Sequence, residues 1–388
     1  MEDDLSPLYE ETPYHSRFGQ IRESDYGDRE DVTAEHEELR HELEALDSIQ
    51  YPPSSVTSGH ATLKKRRLNA LSLGLRKYKS KVRLLILLVA VWPFLSWAII
   101  YVLFSEHSAL FPKTLRDSRS TLFVVAHPDD ECLFFAPSIL STVRRAKSHG
   151  ALLVLSSGNH YGQGELRQKE LKASCKQLGI REERCDVMDL SSVQDDPEKW
   201  WPTDTISLTV KQHVDQWMIE TIVTFDKGGV SGHINHRAVS AAVTQLALSL
   251  NQTNPSTSSS SLNHTSPTLF VVKTVFVLRK YLGLYDLPLS FSSFIPGVLF
   301  GPSILSRVPL DFTYDVRTEE EALESERKRQ DSIESTERGL LLGGLSDYLF
   351  ARKAFRRHQS QFVWDRHLYM ILSQYMSVIP QFLRSIFF

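Results

Sequence analysis

The chain has 388 residues, with 44 Lys and Arg against 47 Asp and Glu, a net charge of −3. That length holds one large domain with appendages, or two smaller ones. The overall charge says little by itself, but three cysteines exclude a small disulfide-stapled scaffold.

The charge is unevenly spread. Residues 1–50 carry sixteen acidic residues against four arginines and few large apolar side chains. Such a segment cannot bury enough surface to offset its ordering entropy, so residues 1–63 are expected to be a disordered acidic tail. Within it, "TAEHEELRHELEAL" has the pattern of a transient helix. Residues 64–83 hold nine Lys and Arg, a basic juxtamembrane segment. The run "LLILLVAVWPFLSWAIIYVLF", residues 84–104, has no charge. About twenty apolar residues suffice to cross a bilayer as a helix, and Pro93 is tolerated there. The run lies too deep in the chain for a signal peptide, so one transmembrane helix is expected.

Strand and helix signals then alternate. "TLFVVA", residues 121–126, predicts a strand, and a helical pattern follows through "LFFAPSILSTVRRAKSHG" to Gly150. "ALLVLS", residues 151–156, predicts a second strand, and the loop "SGNHYGQG" leads into a helix over "ELRQKELKASCKQLGI". "RCDVMDL" suggests a third strand, and "TDTISLTVKQHVDQWMIE" a helix with Thr203 or Asp204 as its N-cap. "TIVTF", residues 221–225, is another strand, followed by a helix over "HRAVSAAVTQLALSL". This order predicts an α/β fold: a Rossmann-like, mostly parallel sheet with helices on both faces, spanning 118–388 and preceded by one transmembrane helix. Ligands in such folds collect outside the carboxyl ends of the strands. The loops 127–131, 157–164 and 226–236 would converge there.

The remainder is less regular. Residues 251–268 are low-complexity and carry sequons at Asn251 and Asn263; they and the charged stretch 315–340 are expected to be flexible loops. "LFVVKTVFVL" between them is strand-like. Residues 287–306 are uncharged but hold three prolines, which suits either a segment dipping into a membrane interface or an irregular core loop. The C-terminal "FVWDRHLYMILSQYMSVIPQFLRSIFF" reads as a core helix or a second membrane contact. Cys132, Cys175 and Cys185 show no ligand spacing and read as buried free thiols.

"VVAHPDDE", residues 124–131, sets three carboxylates side by side. A divalent cation would offset their repulsion. His127 and Asp130 lie three apart on a turn stiffened by Pro128, so both can aim at one ion, with Asp129 directed at a water. In "GGVSGHINHRAV", His233 and His236 share a face at the start of a helix, after glycines that permit close backbone approach. A plain helix start also favours acids, which accounts for Asp129, Asp130 and Glu131 without any metal. It does not explain why histidines from two loops would share one rim.

"AHPDDE" with the distant "GHINH" resembles the LmbE-like zinc deacetylases, and within them the eukaryotic branch that de-N-acetylates N-acetylglucosaminyl-phosphatidylinositol in GPI-anchor synthesis. "SSGNHYGQGELRQKEL", "FDKGGVSGHINH", "VLRKYL" and "SQFVWDRHLYMILSQYM" carry the likeness, which runs from about residue 122 to 376; Asp365 departs from the pattern after Trp364. The resemblance implies that His127, Asp130 and His236 hold Zn2+, with another divalent cation as the alternative. It implies that Asp129 is the general base, that protonated His233 stabilises the oxyanion, and that one of these two protonates the leaving amine. Arg167 would bind sugar hydroxyls or phosphate.

The implied partners are the glycolipid and membrane lipid, with no nucleic acid and no obligatory protein. The implied location is the endoplasmic reticulum membrane, single-pass, with the catalytic domain in the cytosol. The flanking charge disagrees: nine basic residues precede the span and three follow it in 105–120, which favours a lumenal domain. The resemblance is followed here. A deacetylase of another N-acetylglucosamine conjugate keeps the same chemistry. A membrane-anchored scaffold would lack a ligand or the base, whereas all five residues are present.

Overall fold

The structure, a computed structural model, describes residues 57–252, 266–307, 337–373, 375 and 381–386. The acidic tail to residue 56, Asn263 with the stretch 253–265, and the charged stretch 308–336 lie outside the described residues. The chain divides into two units, Met1–Lys81 and Val82–Phe388. The first contributes residues 57–81 to the helix α1, Thr57–Phe104.

Within the second unit, α1 changes character along its length. Leu84 to Leu88, Trp92, Phe94 and Leu95 are exposed, whereas Ile100 is buried. Trp97 Nε1 donates to the Gly343 carbonyl at 3.2 Å, and the Phe104 ring lies 5.1 Å from that of Phe291. Tyr78–Phe104 is the one helix among the described residues that is long and apolar enough to cross a membrane. Beyond it, Ala109, Leu110, Phe111 and Leu115 are buried in the core that surrounds the sheet.

The sheet has seven strands in the order β3-β2-β1-β4-β5-β7-β6. These are β1 Ser120–Val125, β2 His149–Val154, β3 Cys185–Val187, β4 Thr221–Phe225, β5 Thr268–Val272, β6 Arg338–Leu341 and β7 Gln381–Ile386. β1 to β5 are mutually parallel, and β7 runs antiparallel between β5 and β6. All residues of β1 and β4 are buried, which is why they read as continuous apolar runs instead of alternating ones.

Four longer helices cover the sheet: α2 Gly164–Leu178, α3 Thr203–Trp217, α4 Ile234–Gln252 and α5 Leu345–Phe355. α3 packs on α4, and α2 packs on α5. Right-handed connections between the parallel strands put α3 and α4 on one face and α2 on the other, where α5 packs on α2. β1 leads outward to β2 on one side and has β4 on the other, so a crevice opens at the carboxyl ends of β1 and β4. The α/β expectation is met.

Several local expectations are corrected. The helix expected after β1 is broken into Asp130–Leu133, Ala136–Ile139 and a wide turn over Leu140–Arg145; Pro137, which lacks an amide hydrogen, begins the middle piece. β2 begins at His149, two residues early. Pro202, not Thr203 or Asp204, caps α3, and no side chain bonds its first turn. Cys175 and Cys185 form a disulfide, so only Cys132 is a free thiol among the described residues. The turn through Gly179 (φ +89°) brings the end of α2 back to the start of β3, an adjacency that ten residues of spacing do not announce.

Residues 287–306 contain the short helices Leu287–Ser292 and Ile295–Phe300, then a 3-10 turn from Pro302. Leu287, Phe294 and Leu305 enter the core, while Leu289, Ile295, Leu299 and Phe300 are exposed. The stretch expected to be loop to 268 gives way to β5 at Thr268, and that expected to 340 gives way to β6 at Arg338. The C-terminal run splits into α6, Trp364–Leu372, and the edge-side strand β7.

Candidate metal centre

The three adjacent carboxylates turn out to point three ways, each toward its own cation or donors. Asp130, at the first turn after β1, accepts from the backbone N–H of Ala126 at 3.1 Å and of His127 at 2.8 Å. Its other oxygen lies 3.3 Å from His236 Nε2, and His127 Nδ1 is 3.7 Å from the first. Burial works against its charge, but His236 and then His127 hold its carboxyl well below the usual carboxylate range. Asp129 has φ 119°, a left-handed conformation costly for a residue with a Cβ, and such strain gathers at functional sites. Glu131 Oε2 accepts the Asp129 N–H at 3.0 Å, which helps to hold that conformation.

The two loops are brought together by the sheet. His127 follows β1 and His236 lies in the first turn of α4, after β4. His236 stacks on Phe225, the last residue of β4, with ring centroids 4.3 Å apart. Its Nδ1 lies 3.0 Å from the Gly229 carbonyl, to which it donates, and its Nε2 is directed at Asp130; burial opposes its charge, yet that carboxylate raises its pKa. Gly229 has φ +63°, and a Cβ on it would meet His236 Cβ at 2.9 Å, so the turn needs glycine.

His127 is oriented from its other nitrogen. Nε2 lies 3.2 Å from Asp195 Oδ1 and 3.2 Å from the side chain of Asn235, whose amide then donates to the carbonyls of Asp196 and Lys199. The Nδ1 lone pair is left facing Asp130. The potential ligand atoms of His127, Asp130 and His236 all lie within 4.8 Å of one another, and all three residues are buried. Two imidazoles and one carboxylate, each with its remaining atoms bonded to protein, are a donor set that fits a divalent metal and leaves an open position.

His233 is half-buried, its ring 5.2 Å from that of His127 and 5.0 Å from that of His236. Burial and the two neighbouring imidazoles push its pKa down to about 4. These neighbours disfavour the protonated form that the resemblance implies. The Asn235 N–H lies 3.3 Å from Nδ1, so Nε2 carries the hydrogen.

Arg167 is buried in α2 and faces inward. Its guanidinium donates to the Gly158 carbonyl at 2.9 Å and the Pro128 carbonyl at 2.7 Å, and lies 3.7 Å from Asp129 Oδ1. It ties the loops after β1 and β2 together. A Cβ on Gly158, whose φ is +69°, would meet Arg167 Nη1 at 2.3 Å. Burial raises the Asp129 pKa despite the charges of Arg167, Arg366 and His358; Asp130 adds to the rise.

The structure thus gathers His127, Asp129, Asp130, His233 and His236 at one place, with Arg167 behind Asp129. Sequence reasoning missed Asp195, Asn235 and His358. Asn235 sits inside the quoted "GHINH" but carries no ligand signature. Asp195 and His358 lie in irregular loops with no periodic signal.

Comparison with known proteins gives a match to the family described as GlcNAc-PI de-N-acetylase (PIG-L) over residues 122–247. The N-acetylglucosaminyl-phosphatidylinositol de-N-acetylase of Bos taurus is 35% identical over 258 residues, covering 66% of this chain and 81% of the relative. A Dictyostelium discoideum protein named "Probable N-acetylglucosaminyl-phosphatidylinositol de-N-acetylase" is 31% identical over 280 residues, covering 66% and 90%. The Saccharomyces cerevisiae enzyme of that activity is 30% identical over 275 residues, covering 69% and 82%.

Proposed function

The chain belongs to the GlcNAc-PI de-N-acetylase family, and from that premise we propose how its residues remove the N-acetyl group of N-acetylglucosaminyl-phosphatidylinositol. It is a deacetylase of GPI-anchor biosynthesis, and the products are acetate and glucosaminyl-phosphatidylinositol. The observation that carries the mechanism is the buried trio His127, Asp130 and His236 with Asp129 beside it.

We assign Zn2+ to that trio, because two imidazoles and a carboxylate suit it. When bound, zinc lowers the pKa of a water toward about 7 and polarises the acetamide carbonyl. Asp129 takes the proton of the attacking water at its carboxylate. Its raised pKa lets it keep that proton and pass it to the amine as the C–N bond breaks. Arg167 holds the Asp129 carboxylate in place and keeps the Pro128 carbonyl fixed. His233, neutral with hydrogen on Nε2, donates to the acetamide oxygen as negative charge gathers there. Asp195 and Asn235 keep His127 in the tautomer that leaves Nδ1 free.

The substrate is lipid-linked, and the chain carries one helix able to cross a membrane. Leu299, Phe300, Trp364 and Ile371 are exposed apolar side chains that suit an interface with lipid. We assign the protein to the endoplasmic reticulum membrane as a single-pass protein with the catalytic unit on the cytosolic face. The test is acetate release from the glycolipid and from a second N-acetylglucosamine conjugate, by wild type and by Asp129→Asn. Equal turnover of the two substrates would point to a broader deacetylase, and no release from either would leave a scaffold.

A further inference from the structure

Arg279 and Lys280 are neighbours in "VLRKYL" and both are buried, yet their surroundings differ. Arg279 pairs with Asp286, Nε to Oδ1 at 2.6 Å and Nη2 to Oδ2 at 2.7 Å. For Lys280, the described residues supply no carboxylate at ion-pair distance and no hydrogen-bond acceptor. Its Nζ lies instead 5.4–5.8 Å from the ring centroids of Phe134, Tyr281, Tyr369 and Tyr375. An ammonium taken from water without an anion is costly, and the ring faces offset only part of that cost. Burial and then the charge of Arg366 push its pKa down to about 8.

Arg366, in the first turn of α6, likewise finds no carboxylate at ion-pair distance among the described residues. Its charge acts on both Lys280 and Asp129, so it lies within electrostatic reach of each. Phe134 makes a second link: its ring lies against Lys280 and 5.7 Å from the ring of His236. Lys280 also borders a cavity of about 480 Å³ shared with Val230, Ser231, Phe276, Val277 and Tyr281. Gly228 and Gly232, from the turn that precedes His233, also line it, and Phe276, Val277 and Tyr281 in its lining are exposed. The metal donors, two cations with no anion among the described residues, and an apolar lip are thus neighbours. A lipid-linked acetylated sugar offers an acetamide, then a phosphodiester, then acyl chains.

We propose that Lys280, with Arg366 beside it, forms the subsite that receives the phosphodiester anion of the substrate. The proposal rests on the deacetylase reading above and adds the group by which a lipid-linked sugar is told from a free one. The aromatic box keeps the ammonium desolvated, so an arriving anion meets it in a medium where charge pairing is strong.

The test uses the full chain in detergent, as wild type, Lys280→Met and Lys280→Arg. Acetate release is measured on the glycolipid and on the N-acetylglucosaminyl-inositol headgroup without phosphate. In Lys280→Met the ratio of kcat/KM for the two substrates is expected to fall roughly ten- to a hundredfold in favour of the phosphate-free one, through KM, with metal content retained. Lys280→Arg is expected to restore most of the ratio, which a merely structural role would not do. Glycerophosphoinositol should compete with the glycolipid on wild type and more weakly on Lys280→Met. An unchanged ratio overturns the proposal. So does competition by inorganic phosphate equal to that by glycerophosphoinositol, which would make this a free-phosphate site. Should wild type release no acetate, the deacetylase reading fails, and calorimetric binding of glycerophosphoinositol to wild type and Lys280→Met still decides the subsite.

Discussion

Glu131 Oε1 and His358 Nε2 meet at 2.7 Å in the interior, although 227 residues separate them along the chain. Both are 0% exposed. Ser174 donates to the same Glu131 oxygen at 2.6 Å, and the other oxygen holds the backbone of Asp129. Burial opposes both charges, yet the pairing lowers the Glu131 pKa and raises that of His358. Removing one member leaves the other charged and alone, so His358→Ala should cost about 3–5 kcal/mol of stability. The histidine's share is complete below its ordinary pKa and is lost as pH rises through the raised value. The glutamate's share is complete above its ordinary pKa and is lost as pH falls through the lowered value. Denaturation midpoints followed against pH should show a plateau with two edges in wild type and a flatter profile in His358→Ala. Identical profiles would end this account.

Asp129→Asn removes the base and keeps the shape. Turnover on the glycolipid should fall by roughly 10²–10⁴, the usual worth of a positioned proton acceptor, with bound metal retained. In wild type the acid limb of the rate should lie above the ordinary aspartate range, because burial raises this group, and the rate should climb as pH passes the raised value. Full activity in the variant would remove Asp129 from the mechanism.

His236→Ala should abolish the bound metal, read as metal per chain after dialysis. Asp195→Asn is the finer probe: it touches only the far nitrogen of His127, and loss of such an orienting carboxylate typically weakens metal binding by about 10–100-fold. Chelator competition measures this. Wild-type affinity in Asp195→Asn would make the 3.2 Å contact incidental.

Sidedness has two independent readouts. On the cytosolic face, Asn251 and Asn263 stay unmodified, glycosidase produces no mass shift, and the Cys175–Cys185 bond is kept reduced, so both buried thiols are alkylated once the chain is denatured, without added reductant. A glycosidase-sensitive shift with both cysteines protected by their disulfide would put the catalytic unit in the lumen, where the nine basic residues before the span also point.

The parallel core was legible because β1, β2, β4 and β5 are buried on both faces and so appear as uninterrupted apolar runs. The candidate ligands were legible because His127, Asp130 and His236 each follow such a run or open the helix after it. The antiparallel strands β6 and β7 were not, since one lies inside a stretch that reads as charged loop and the other continues an aromatic-rich run. Asp195 and His358 were invisible for a different reason: their roles arise from contacts 68 and 227 residues away in sequence. The disulfide and the inward aim of Arg167 belong to the same class, being set by how α2 packs.

The docking of α1 on the catalytic unit has a consequence for how the enzyme meets its substrate. Trp97, Ile100 and Phe104 are already packed on the domain, and Ala109 to Phe111 are core, so little slack separates the apolar helix from the sheet. With that helix across a bilayer, as proposed above, the unit would have no leash on which to sample the surrounding solution. Encounters would then come from glycolipids drifting within the plane of the bilayer, a two-dimensional search whose rate follows the surface density of the lipid.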